Sequence, residues 1–253
     1  MSDGCLMRMD LDSLQNSRHR VVDVVNSDHM LLSLDVLDDD SVVVTTDSRG
    51  AIFVLDGETF QRRLHRETAH RLPYSTTHCE VWSSCWIERS TIATGGEDGS
   101  IKIWDVRTDI SSPTRTLKDA HDAGCVFLSS RLLQERLVSS SYDQSVRQWD
   151  LRSGSLSSAA AALHVLQLDG GVWDLSRSTD GRIGLACMYG GWAVANGGLD
   201  RVEISDQSAG ANLLYGCELI SSENCCHHLL YCTFNDNTLA SVALGPSSGS
   251  CDE

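Results

Sequence analysis

Proline is nearly missing from this chain, at 3 of 253 residues, and no apolar run approaches the length of a membrane span. Scarce proline together with many short, turn-bounded apolar runs favours an all-β reading. Helical periodicity is weak throughout. Basic residues are also in short supply: 20 Lys and Arg against 35 Asp and Glu give a formal net charge of −15. That balance argues against nucleic acid, because phosphate binding needs a basic surface. A cationic or mixed-charge protein partner is easier to accommodate. The first residues, MSDGCLMRMDLD, lack the apolar core of a signal peptide. Ten cysteines are present, yet none forms a Cys-x-x-Cys pair, and most stand in apolar strand-like runs as small buried hydrophobes do. They are expected to be reduced thiols of a cytoplasmic protein. Nucleophile-elbow, phosphate-loop and His-Glu-x-x-His motifs are missing. Cys225-Cys226-His227-His228 suggests zinc, but adjacent strand residues point to opposite faces and no second pair has ligand spacing. No metal and no cofactor are expected.

What is present is a repeat. Residues 94–107, TGGEDGSIKIWDVR, hold a tight turn, an alternating strand and a closing Trp104-Asp105 pair. Residues 139–152, SSSYDQSVRQWDLR, repeat that order and close on Trp149-Asp150. The period and the dipeptide are the signature of a WD-type β-propeller blade. Taken along the chain, the pattern predicts about five blades of four short strands, with turns at Asp47, Asp98, Asp143, Tyr189 and Asp236. Residues 1–29 read as a polar tail or stray strand, 30–244 as the propeller and 245–253 as a disordered tail by composition. A Ser/Ala-rich connection, 153–162, separates the third and fourth blades, and Leu55 stands where later blades carry Trp.

In such a blade a His, a second-strand Ser or Thr, the turn Asp and the Trp form one buried hydrogen-bonded chain, because polar groups covered by the next blade must be satisfied. The third blade offers His121, Ser139, Asp143 and Trp149. The second offers Thr94, Asp98 and Trp104, with His78 preferred over His70, since His78 precedes Trp82 by the interval that separates His121 from Cys125. These are structural roles.

Further segments are not generic. EVWSSCW (80–86), QLDGGVWDL (167–175), LACMYGGWAV (185–194), LLYGCEL (213–219) and LLYCTFNDNTL (229–239) occur in order. Together with AHDAGCVFLSS they resemble the diphthine methyl ester hydrolase (diphthine methyltransferase) family of WD-repeat proteins. The resemblance covers roughly residues 31–244. It implies a longer, seven-bladed ring with about two further blades on the N-terminal side. Tyr189 stands where the family often has His, and Glu218 where it has Asp.

The resemblance implies a hydrolase that removes the methyl ester from the methylated diphthine intermediate on elongation factor 2, with that factor as protein partner. Ester hydrolysis needs an activated water and donors for the oxyanion. Glu80 and Asp122 are the candidate catalytic carboxylates. Trp82, Trp173, Tyr189 and Tyr215 are candidate binding residues, since aromatic faces hold a quaternary ammonium well. Two other readings compete: a non-enzymatic WD scaffold that binds proteins through its rim, and an inactive truncated relative.

Overall fold

A computed structural model describes residues 4–8, 20–26, 28–39, 41–72, 75, 77–150, 162–221 and 227–244. The 153–162 connection lies almost wholly outside these residues, as do Cys225, Cys226 and the 245–253 tail. Every element described is a strand except one 3-10 turn, Ser208–Asn212. The described residues fall into two compact units, one up to Ala120 and one from His121 on.

The first unit begins with a two-stranded antiparallel sheet, β1 (Cys5–Arg8) and β2 (Arg20–Asp23), within the stretch read as a tail or stray strand. Two four-stranded sheets follow. One is β3 (Leu31–Val36), β4 (Val42–Asp47), β5 (Ile52–Asp56) and β6 (Arg62–Arg66); the other is β7 (Val81–Glu88), β8 (Thr91–Gly96), β9 (Ile101–Asp105) and β10 (Arg115–Leu117). Each is an antiparallel meander in which sequence neighbours pair. Val44, Ile52 and Val54 pack with Val81, Trp86, Ile92 and Trp104 to bury the face between the two sheets. Val43 and Leu55 are register partners, as Ile92 and Trp104 are. Leu55 is 1% exposed, so the Trp position is filled by a smaller apolar side chain. The pair packs with Phe53, Phe60 and Val24, and Leu6 and Val22 of the two-stranded sheet lie against that cluster.

The second unit holds three sheets. They are β11 (Cys125–Ser129) to β14 (His164–Gln167), through β12 (Arg136–Ser141) and β13 (Ser145–Asp150); then β15 (Asp174–Arg177), β16 (Ile183–Ala186), β17 (Trp192–Ala195) and β18 (Val202–Asp206); then β19 (Leu214–Ser221), β20 (His227–Thr233) and β21 (Leu239–Leu244). The last sheet shows three strands among the described residues, where the repeat predicts four. All four residues of β16 and of β17 are buried. The middle sheet of the unit packs on both faces, so IGLA and WAVA are continuous small and apolar runs, without the alternation of one-sided strands. Leu175, Ile183 and Leu185 join one core with Val138 and Val146, while Ala186 and Val194 join another with Leu219 and Leu229.

Side chains of one first strand grip the backbone of the next. Ser84 N–H donates to Ser33 Oγ at 2.9 Å and Trp86 N–H to Asp35 Oδ2 at 2.7 Å. In the second unit Cys217 N–H donates to Asp174 Oδ2 at 3.2 Å and Leu219 N–H to Ser176 Oγ at 2.8 Å. Two alternate positions on β3 and on β15 thus satisfy amides at the edge of the next sheet that have no ladder partner there, which sets the offset between those sheets. Second strands contribute as well: Thr46 Oγ1–H donates to Val81 O at 2.7 Å and Ser140 Oγ–H to Val172 O at 2.7 Å.

Candidate binding surface

The expected buried network is present in two sheets. His121 Nδ1 lies 3.0 Å from Asp143 Oδ2 and its Nε2 2.7 Å from Ser139 Oγ, which also accepts the Trp149 Nε1–H at 2.8 Å. With a neutral imidazole and an ionised carboxylate, one proton pattern serves all three contacts. Nδ1–H donates to the carboxylate, and the Ser139 hydroxyl donates to Nε2 while accepting from the indole. The other sheet repeats it with His70, Asp98, Thr94 and Trp104 at 2.8, 2.8 and 2.9 Å. His70, not His78, therefore fills the network; His78 is exposed. The stretch between His70 and β7 is longer than that between His121 and β11, and this extra length misleads a count back from the strand.

A further imidazole was not foreseen: His29 Nδ1 sits 3.1 Å from Asp47 Oδ2 in the first sheet. Beside it a cavity of about 460 Å³ opens, lined among others by His29, Asp47, Phe53 and His65. His65 stacks on Phe53 at 4.7 Å, and Arg62 covers that ring at 5.1 Å.

Burial holds both network imidazoles below their ordinary 6.5, against the pull of Asp98 and Asp143, so each is neutral near pH 7. Burial alone would raise Asp98, but the hydrogen bonds from His70 and Ser100 and the charge of Lys102 outweigh it and bring it to about 2. All of these groups are used up in holding turns. None is spare for chemistry.

The remaining predicted residues divide between the units. In the first, Trp82 Nε1–H donates to Glu97 Oε2 at 2.6 Å, and Glu97 N–H donates to Glu80 O at 2.9 Å. Glu80 and Trp82 thus stand together at a turn. In the second unit Asp122 lends its backbone N–H to Asp143 at 3.0 Å, and Tyr189 is 66% exposed on the turn before β17. Trp173 and Tyr215 meet, with ring centroids 4.3 Å apart.

That pair belongs to a longer file. Tyr142 lies 5.6 Å from Trp173, and Phe234 lies 5.6 Å from Tyr215. Four rings from three successive sheets therefore follow one another. Tyr142 comes from the β12–β13 turn, Trp173 precedes β15, Tyr215 lies in β19, and Phe234 follows β20. Phe234 is 64% exposed. Asp174 follows Trp173 in the chain, and Glu218 lies on β19 three residues beyond Tyr215. Burial raises the Asp174 carboxyl, opposed by backbone N–H donors from Cys217 and Leu175. Burial and then the charge of Asp174 raise Glu218. Among the described residues no group of three His, Cys, Asp or Glu is placed to hold a metal ion.

Residues 70–105 and 111–150 match the family model "WD domain, G-beta repeat". Those two segments carry the WD40 repeat pattern. The first matched segment begins at His70, the imidazole that the network uses. Two curated relatives give the scale of the likeness. Mitochondrial division protein 1 of Kluyveromyces lactis is 35% identical over 74 residues, 26% of this chain and 10% of the relative. The DDB1- and CUL4-associated factor 11 homolog of Caenorhabditis briggsae is 30% identical over 129 residues, 49% of this chain and 22% of the relative. The WD-repeat chain thus spans less than a quarter of either relative. Among solved structures, a chain of a mitotic checkpoint complex superposes with TM-score 0.67 at 15% identity, over 95% of this chain and 72% of that one. Raptor of Chaetomium thermophilum gives TM-score 0.71 at 13% identity, over 96% of this chain and 21% of that one. These likenesses support the WD40 propeller fold, and none points to the diphthine methyl ester hydrolase family.

Proposed function

We propose that this WD-repeat chain is a cytoplasmic protein-binding module, a scaffold or adaptor whose contact face is the turn end of the second unit. The aromatic file Tyr142, Trp173, Tyr215 and Phe234 carries this reading. Aromatic side chains at a surface supply large contact area at low entropic cost, and they are enriched at the energetic centres of protein interfaces. Phe234, 64% exposed, carries the file into solvent, and Tyr189 of the same unit is 66% exposed. The repeats themselves need no chemistry, since their titratable groups are already spent on turns. The test is cross-linking mass spectrometry with the full chain and its Phe234→Ala variant. Partners cross-linked near residue 234 and lost in the variant support the module. Recovery that ignores the substitution, or no partner at all, overturns it.

A second reading is hydrolysis of the methyl ester on the modified histidine of elongation factor 2. Asp174 and Glu218 favour it, as two carboxyls that hold their protons more tightly than free acids do. Raised carboxyls suit proton transfer near neutral pH. Glu218 is the better placed of the two as a base, being exposed where Asp174 is engaged with Cys217. The assay presents elongation factor 2 carrying the ester and follows loss of one methylene unit by mass spectrometry. Binding without that loss leaves the module reading alone.

A further inference from the structure

We infer that the aromatic file of the second unit seats the guanidinium of an arginine in a basic segment of a partner protein, stacked on the exposed Phe234 ring at its end. The inference rests on the protein-binding reading and names the group recognised. Three observations lead to it.

The first is how the rings meet. Trp173 and Tyr215 are in contact, with centroids 4.3 Å apart and planes at 42°, and their outer neighbours follow at 5.6 Å with planes at 52° and 34°. Rings packed against one another in a file leave no gap for a cation to enter between them. A spherical, fully alkylated ammonium is best held by several faces converging around it. The inner rings each pack between neighbours, whereas Phe234, at the end of the file and 64% exposed, offers a single open face, and a flat ion lies on a single face. Guanidinium is planar, stacks on aromatic rings and gives up its hydration more readily than an ammonium does.

The second is charge. Asp174 follows Trp173 in the chain, and Glu218 lies three residues beyond Tyr215 on β19. Asp174 Oδ2 accepts from Cys217 and would lie 3.6 Å from a Cβ placed on Gly216, the residue next to Tyr215. Among the described residues neither carboxyl has a Lys, Arg or His within ion-pair distance. The charge of Asp174 acts on Glu218, and a cation at the file would relieve that repulsion. With a net charge of −15 the whole chain draws basic segments toward it.

The third is access. Phe234, at one end of the file, is 64% exposed, and Glu218 is an exposed position of β19. Both positions are open to a docking segment.

The experiment uses the full chain and three short Gly/Ser peptides, alike but for one central residue: arginine, lysine or trimethyl-lysine. Isothermal titration measures each affinity. The arginine peptide is expected to bind about 3- to 10-fold more tightly than the other two. Phe234→Ala and Glu218→Gln, both at exposed positions, should each weaken it by about the same factor while the urea midpoint stays in place. Trp173→Phe keeps an aromatic face and should retain more affinity than Trp173→Ala. Equal binding of the arginine and lysine peptides overturns the guanidinium assignment, and tighter binding of trimethyl-lysine replaces it with a quaternary ammonium seat. Arginine binding indifferent to both Phe234→Ala and Glu218→Gln removes the seat from the file. If no peptide binds while cross-linked partners still depend on Phe234, this inference fails and the module reading stands. If partners are also indifferent to Phe234, both fail.

Discussion

Asp174 Oδ2 accepts the backbone N–H of Cys217 at 3.2 Å, across from one first strand to the next. Ser33 performs the same service for Ser84 in the first unit. The comparison separates two contributions of Asp174, since serine shows that the grip needs an acceptor and no charge. Burial raises the Asp174 carboxyl above its ordinary 3.8, so the ionised form is the costly one in the fold. Its stabilising contribution is complete below 3.8 and is lost as pH rises through the raised folded value. Asp174→Asn keeps an oxygen for Cys217 and sheds the charge. At pH 7 it should leave the urea midpoint unchanged or raise it. Asp174→Ala leaves the amide without its acceptor and should cost about 1–3 kcal/mol.

The two network histidines predict the opposite slope at lower pH. His70 and His121 sit below 6.5 in the fold, burial being the first cause, so the unfolded chain takes up protons before the folded chain does. Stability is therefore present above 6.5 and is lost as pH falls below it. Asp98, held at about 2, adds a second loss as pH falls from 3.8 toward that value. Thermal melts from pH 8 to 4 should show a falling midpoint, and the His70→Gln, His121→Gln double variant should flatten the upper part of that fall. His121→Ala and His70→Ala should each cost about 1–3 kcal/mol. His78→Ala, at an exposed position, should stay within about 0.5 kcal/mol of the parent.

Equivalent turns carry Gly99 at φ 67° and Gln144 at φ 66°. Both backbones lie in the left-handed region, which costs a residue with a Cβ about 1–2 kcal/mol. Gln144 contributes its carbonyl to Leu168 and Gln167, contacts that any residue supplies. Gln144→Gly should therefore stabilise the second unit by about 0.5–1 kcal/mol after the entropy of the added glycine is allowed for. Gly99→Ala should destabilise the first. Differential scanning calorimetry reads both.

The same pair of turns shows what the sequence makes legible. Strand alternation, the turn Asp and the closing Trp-Asp are local features, and the structure places β8–β9 and β12–β13 within a residue or two of the runs that display them. His70 was obscured by the longer stretch that precedes β7. The repeated Ala-His dipeptide, Ala69-His70 and Ala120-His121, pointed to it more directly than the interval to the strand did. The aromatic file was half visible. Trp173 and Tyr215 stand out because they interrupt the generic pattern. Tyr142 fills an ordinary turn position beside Asp143, and Phe234 ends an ordinary apolar strand, so neither signals a partner. Their meeting is set by how one sheet is offset from the next, through contacts such as Asp174 with Cys217, and those are tertiary. Glu80 and Asp122 are candidates through the family resemblance and their place at the rim, whereas the carboxyls that burial raises are Asp174 and Glu218, the latter also through the charge of Asp174.

Gly96 supplies the last prediction. A Cβ there would lie 2.4 Å from His70 Nδ1 and 2.6 Å from the adjoining ring carbon. The imidazole cannot swing aside, because Asp98 and Thr94 hold its two nitrogens at 2.8 Å each. Overpacking of this kind costs about 1–3 kcal/mol. The equivalent position in the other repeat is Ser141, two residues before the turn Asp as Gly96 is, and His121 tolerates its Cβ. The His70 ring thus lies closer to this one position of its second strand than the His121 ring does to Ser141. Gly96→Ala should destabilise the first unit, while Ser141→Ala should cost only its hydrogen bonds to Ala123 and Asp143. A double-mutant cycle isolates the cause. In a His70→Ala background the clash partner is gone, so Gly96→Ala should cost much less there, with a coupling of about 1–2 kcal/mol by urea titration. Additive losses would mean that the glycine is required by the strand itself and not by the histidine.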